Sequence, residues 1–265
     1  MRQFFEAGIR RVHHLPELAP CTVEHIGRRT LVLTDGVRLV PVTRDEDGLL
    51  PGGISLATEV FDVVRAALAG LGRDDRLPSW FAGADLPAAS DLSLRQQACR
   101  PERLAVLAGM LAAEERGTGV IDAAPLRRRA AGLVPALAHP RWARREVREL
   151  IGAGPGATPT GDDILVGALA GLELTGRRRE LITIGGLVPP LLTRTTRTSQ
   201  HFLHWALAGQ YASTVHAVAA GLSGSVALEP AVAGIRHWGA SSGVDLLHGL
   251  VGVLTAGENA RGGAA

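Results

Sequence analysis

The residues most able to do chemistry lie in one stretch, IGAGPGATPTGDDILVGALAGL, from Ile151 to Leu172. Gly152, Gly154 and Gly156 permit positive φ and close backbone approach, while Pro155 and Pro159 stiffen the loop they share. Thr158 and Thr160 add hydroxyls, and Thr160 is placed as an N-cap with Asp163 at the capping-box position. The amides of a helix first turn lack intrahelical acceptors and sit at the positive end of the helix dipole, so Gly154, Gly156 and Gly161 are candidates to hold a carboxylate or phosphate. Asp162 and Asp163 would repel a bare anion, although an ordinary well-capped helix carries acids in the same place. A ligand with both an anionic end and N–H donors, or an anion carrying Mg²⁺, reconciles the glycine amides with the two carboxylates.

The same grammar recurs in SSGVDLLHGLVGVL, Ser241 to Leu254. Aligning Ser242 with Thr160 gives [TS]-G-x-D-[IL]-L-x-G, with Gly161 matched by Gly243, Asp163 by Asp245, Leu165 by Leu247 and Gly167 by Gly249. Each Asp and its following Gly share one helix face, and the glycine permits close helix contact. A pseudo-symmetric helix pair with both starts beside one pocket is the expectation, which adds Ser242, Gly243 and Asp245 to the candidate binding residues. Between the two segments, TRTTRTSQHFLHWALAGQ places Arg194 and Arg197 among hydroxyls that cap a helix, where the guanidinium groups could clamp a carboxylate. His201 and His204 have a spacing that metal sites use, but no HExxH pattern or obvious carboxylate ligand accompanies them, and no metal site is assigned.

Composition removes several alternatives. All 28 basic side chains are arginine. Without lysine there is no Walker phosphate loop and no pyridoxal phosphate Schiff base. A GxSxG elbow and a GxGxxG fingerprint after a strand are both missing, which argues against a serine hydrolase and an NAD-binding Rossmann unit. The formal charge of +2 gives no reason to expect nucleic acid as a partner. Cys21 and Cys99 stand far apart and read as two buried free thiols. Charges interrupt the N-terminus, and no run of about 18 apolar residues follows, so a cytoplasmic protein with no membrane partner is expected. Arginine-only basic residues with abundant Ala and Gly suit a GC-rich bacterial genome.

The elements that must position these residues form an α+β chain. From Cys21 to about Ser55, β-branched residues surround Gly27 and Asp35-Gly36, which are strand and hairpin signals. A helix is expected from about Ala57 to Ala69, then a loose connection between Gly70 and Pro101. Pro101, Pro125 and Pro140 can each open a helix, ending near Arg116, Leu137 and Ile151. Arg127-Arg128-Arg129 and Arg144-Arg145 on these helices read as solvated faces. The expected division is an N-terminal β-rich region with one helix over 1–95 and a mainly helical region over 96–265 carrying the glycine-rich site.

GPGATPTGDDILVGALAG, TRTTRTSQHFL and GASSGVDLLHGLVGVL, taken in order, resemble the bacterial AllH family, named for a subunit linked to oxamate carbamoyltransferase. The resemblance covers roughly Ile151 to Leu254, with Ala157 and Thr160 standing where a larger apolar residue and a serine are expected. It implies a role in allantoin-derived ureide catabolism: oxalurate and phosphate giving oxamate and carbamoyl phosphate in a multi-subunit assembly. On that basis Asp162 and Asp163 are the candidate catalytic pair, orienting N–H donors or a metal-bound phosphate. Gly154, Gly156, Gly161, Arg194 and Arg197 would hold the anionic groups of a small metabolite. The competing expectations are a noncatalytic scaffold or metabolite-sensing subunit, and a stand-alone enzyme acting on another small carboxylate.

Overall fold

In a computed structural model, which describes residues 1–72, 75–115 and 123–262, the chain divides into two compact units. The first comprises Met1–Leu92 with Tyr211–Thr214; the second comprises Ser93–Gln210 with Val215–Ala265.

The first unit is a five-stranded sheet with helices. Helix α1 (Arg2–Gly8) leads into β1 (Ile9–Val12), followed by β2 (Thr22–Ile26), β3 (Thr30–Thr34), β4 (Leu39–Arg44) and β5 (Ile54–Leu56). Strand order is β1-β5-β4-β3-β2; β4 and β5 pair in parallel and the other neighbours antiparallel. The β3–β4 turn is the expected Asp-Gly turn: Asp35 Oδ1 accepts the amides of Val37 (2.9 Å) and Arg38 (2.6 Å), and Gly36 takes φ +94°. Strand β1 precedes the region where strands were expected, because Arg10 and Arg11 mask the apolar signal of a four-residue edge strand. Helix α2 (Thr58–Leu68) buries Val60, Phe61, Val64 and Leu68 in the core that holds Leu31, Leu33, Val42 and Ile54 from the sheet. The short α3 (Ser79–Ala82) adds Phe81, stacked on Phe5 of α1 at 4.5 Å between centroids. Of the two thiols, Cys21 is buried in this core, while Cys99 of the second unit is only partly buried, a correction to the expectation of two buried thiols. Burial pushes the Cys21 thiol up to about 11.

The second unit is helical: α4 (Pro101–Glu115), α5 (Ala124–Leu137), α6 (Pro140–Leu150), α7 (Thr160–Leu174), α8 (Arg178–Leu187), α9 (Arg197–Leu207), α10 (Ser213–Ser223, its first residues in the other unit), α11 (Leu228–Arg236) and α12 (Ser242–Gly262). The expected end of α4 at Arg116 lies outside the described residues. Pro125 and Pro140 stand in the first turns of α5 and α6, where a missing N–H costs no helix hydrogen bond. Helix α7 is the centre. Its Ile, Leu, Val, Ala and Gly residues leave no polar face beyond the first turn, and all its residues except Glu173 are buried. It packs against α12, α9, α6, α5 and α8.

Candidate functional site

Glycines decide how α7 and α12 meet. A Cβ on Gly167 would stand 2.8 Å from the Leu246 carbonyl carbon, and one on Gly249 would stand 2.8 Å from that of Ile164. Real side chains do not approach so closely, so both positions require glycine for this helix separation. Gly161 and Gly243, each six residues earlier, repeat the pattern. Their added Cβ atoms would lie 2.8 Å from the carbonyl carbons of Leu150, at the end of α6, and Ile235, at the end of α11. Two helix–loop–helix segments, α6–α7 and α11–α12, thus dock through equivalent residues about a local twofold relationship.

The polar groups follow the same exchange. Thr160 Oγ1 donates to Asp245 Oδ2 at 3.1 Å, from the start of α7 to the first turn of α12. In the reverse direction, Ser242 and Thr158 face the Asp163 carboxyl, and their hydroxyls bond to each other at 2.7 Å. The expected N-cap role of Thr160 is corrected here: it stands inside the first turn after Pro159, and its hydroxyl serves the neighbouring helix instead of its own amides. The loop replaces the cap. Ala153 carbonyl accepts the Gly161 amide at 2.8 Å, and Pro159 carbonyl accepts those of Asp162 (2.9 Å) and Asp163 (3.3 Å), so these amides are already engaged. Gly154 and Gly156, at φ +111° and +97°, lie exposed in the loop. A Cβ on Gly154 would stand 2.9 Å from Thr160 N, which places this glycine directly on the helix start.

The start of α9 joins the same loop. Thr195 Oγ1 donates to Asp162 Oδ2, Thr196 Oγ1 donates to Ala157 carbonyl, and Thr196 caps α9 by accepting the Ser199 amide at 3.1 Å. Asp162 Oδ1 accepts the Gly152 amide at 2.9 Å, so Asp162 ties loop, α7 and α9 together. Arg194 turns elsewhere and donates from Nη1 to Arg148 carbonyl at 2.8 Å on an exposed surface. Arg197 begins α9.

A guanidinium does reach the cluster, but from α5. Arg127 Nε donates to Asp245 Oδ1 at 2.8 Å, with its side chain 11% exposed and Asp245 fully buried. The expectation that Arg127 belongs to a solvated face is therefore corrected, whereas Arg128 is exposed and Arg129 pairs with Glu146 at 2.7 Å and with Glu149. A signal was present in the helical period: the buried stripe of Ala130, Val134 and Leu137, extended back one turn, lands on Arg127.

Asp162 and Asp245 thus have full sets of partners and Asp163 does not. Asp163 is 8% exposed, and its Oδ2 has no hydrogen-bond partner among the described residues. Burial pushes its carboxyl well above the usual carboxylate range; the Ser242 and Thr158 hydroxyls oppose this, and the charges of Asp245 and Asp162 add to it. The buried Ser199 hydroxyl, in the first turn of α9, also has no partner among the described residues. Among those residues, no group of three or more His, Cys, Asp or Glu is arranged to hold a metal ion, and no helix is long and apolar enough to cross a membrane. His201 and His204 lie against aromatic rings, His201 against Phe202 and Trp205 and His204 against Trp205.

No curated protein and no solved structure matches the chain. A family model does match, over the stretch from the last residue of α6 into α12 that builds this junction. Residues 150–254 fit the family model described as oxamate carbamoyltransferase subunit AllH, and this segment is similar to that family.

Proposed function

We propose that the chain is a subunit of a carbamoyl-transferring, ureide-metabolising assembly of the oxamate carbamoyltransferase kind, and that it binds a small anionic substrate where α7, α9 and α12 begin. The family description supports the assembly, because AllH is described as a subunit. The observation that carries the site is Asp163. A buried carboxyl oxygen with no partner among the described residues costs stability that two well-packed helices have no structural reason to forgo, so it marks a place for a ligand group. Gly154 and Gly156, exposed residues at the positive end of α7, supply amide donors for an anionic head.

In this reading the roles of the acidic pair separate. Asp162 is a positioning residue that holds the loop by Gly152 and Thr195, and Asp163 touches the substrate. A carbamoyl-transfer transition state is stabilised by donors held in place more than by a nucleophile, and a loop braced by three helices keeps them there. Mg²⁺ accompanying a phosphate-containing substrate would enter with that substrate, since no group of three or more His, Cys, Asp or Glu among the described residues is arranged to hold it.

Reconstitution tests the proposal. The purified chain, alone and mixed with its candidate partner subunits, is assayed for carbamoyl transfer between oxamate and carbamoyl phosphate. Turnover that needs the mixture and falls at least tenfold with Asp163→Leu supports it. Full turnover by the partners without this chain overturns it, and turnover by this chain alone favours the stand-alone enzyme. Turnover that needs this chain but is indifferent to Asp163→Leu assigns it a scaffold role, a reading favoured by the complete pairing of Asp162 and Asp245.

A further inference from the structure

The local twofold relationship between α7 and α12 holds for glycines, hydroxyls and carboxylates, and it breaks at one point. Asp245 receives a hydroxyl from the opposite helix and an N–H from Arg127. Asp163, its counterpart, is faced by hydroxyls but has no N–H donor, and its Oδ2 is buried without a partner among the described residues. The protein fills one of two equivalent positions with its own planar nitrogen donor and leaves the other for something else.

We propose that Asp163 is a specificity-determining residue whose buried oxygen takes the N–H edge of a primary amide or carbamoyl group on the ligand, the place that Arg127 fills for Asp245. This deepens the proposed function and rests on its reading that the junction holds a ligand. The chemistry favours an amide over a carboxylate. A carboxyl group that keeps its proton offers one O–H donor and one acceptor, and a primary amide presents the complementary pair on one edge, a carbonyl acceptor beside an N–H donor. A ligand carboxylate at the same point has no N–H to give and adds a negative charge beside Asp162 and Asp245. Sites built to bond a substrate N–H reject analogues that lack it far more strongly than sites that merely measure size.

Oxamate and oxalate form the test pair, since they match in size and differ by an amide against a carboxylate. Each is titrated calorimetrically into the full-length chain, alone and with partner subunits present, for the unaltered protein, Asp163→Leu and Asp163→Asn. The expected result is oxamate bound at least tenfold more tightly than oxalate, the preference lost in Asp163→Leu and kept in Asp163→Asn, whose side chain still offers a donor and an acceptor. Equal binding of the two by the unaltered protein overturns the assignment of Asp163 while leaving the ligand site standing, and so does a preference that survives Asp163→Leu. Binding of neither compound in any mixture overturns the site itself. Should Asp163→Leu fail to fold, the ratio in the unaltered protein still decides.

Discussion

Gly167 and Gly249 stand in the same relation to each other's helix: the first lies against Leu246 and Leu250, the second against Ile164 and Ala168. Substitution at either position forces the helices apart. Gly167→Ala and Gly249→Ala are each expected to cost about 1–3 kcal/mol, at the upper end because the obstacle is backbone. For a unit of this size, that lowers the melting temperature by roughly 2–4 °C per kcal/mol. The double variant should cost less than the sum, since one separation relieves both clashes. Strict additivity in denaturant titrations would contradict a shared contact.

Arg127→Met leaves Asp245 buried beside a single hydroxyl. Breaking a buried pair from one side costs about 3–5 kcal/mol, most of it the uncompensated carboxylate. Asp245→Asn in the Arg127→Met background is expected to restore most of the loss. Equal stability of Arg127→Met and the unaltered protein in urea titration would show that the pair contributes nothing.

Asp163 makes stability fall with rising pH. Its folded-state carboxyl titrates above the unfolded value, so the folded chain holds a proton that the unfolded chain has released. The penalty is absent below the ordinary aspartate range and grows as pH rises from there towards the raised value. Asp162 and Asp245 face the same group and add their charges to it. Asp163→Asn removes the titration, and its unfolding free energy should be flatter between pH 4.5 and 8.5 than that of the unaltered chain. A parallel pair of curves would contradict the assignment.

Asp162→Asn tests the division of labour within the pair. Asp162 accepts the Gly152 amide and the Thr195 hydroxyl, and an amide side chain cannot accept as well at both oxygens' places, so a cost of about 1–3 kcal/mol is expected. Hydrogen exchange should quicken across Gly152–Thr160 in Asp162→Asn and stay unchanged there in Asp163→Asn. Unchanged exchange in the first variant would remove Asp162 from its positioning role.

Much of the local structure was legible in the sequence because the physics involved is local. Proline fixes φ and lacks an N–H, so Pro125 and Pro140 marked the starts of α5 and α6; Asp35-Gly36 marked a turn because its side chain and its φ > 0 serve the same four residues. The repeated [TS]-G-x-D-[IL]-L-x-G pattern stated that α7 and α12 are alike, and the glycines within it stated that something approaches closely. Only the tertiary structure decided what approaches. It set the two helices face to face, turned Thr160 from a cap into a donor across the interface, and spent the Gly161 amide on Ala153. It also chose which arginine enters the cluster: Arg127, far away in the chain, and not Arg194, which lies beside the hydroxyls in sequence and points to Arg148. Burial and long-range pairing depend on which surfaces meet, and one-dimensional spacing carries that information only as a face. The same reason separates three aspartates alike in sequence into two with full sets of partners and one, Asp163, with a buried oxygen that has no partner among the described residues.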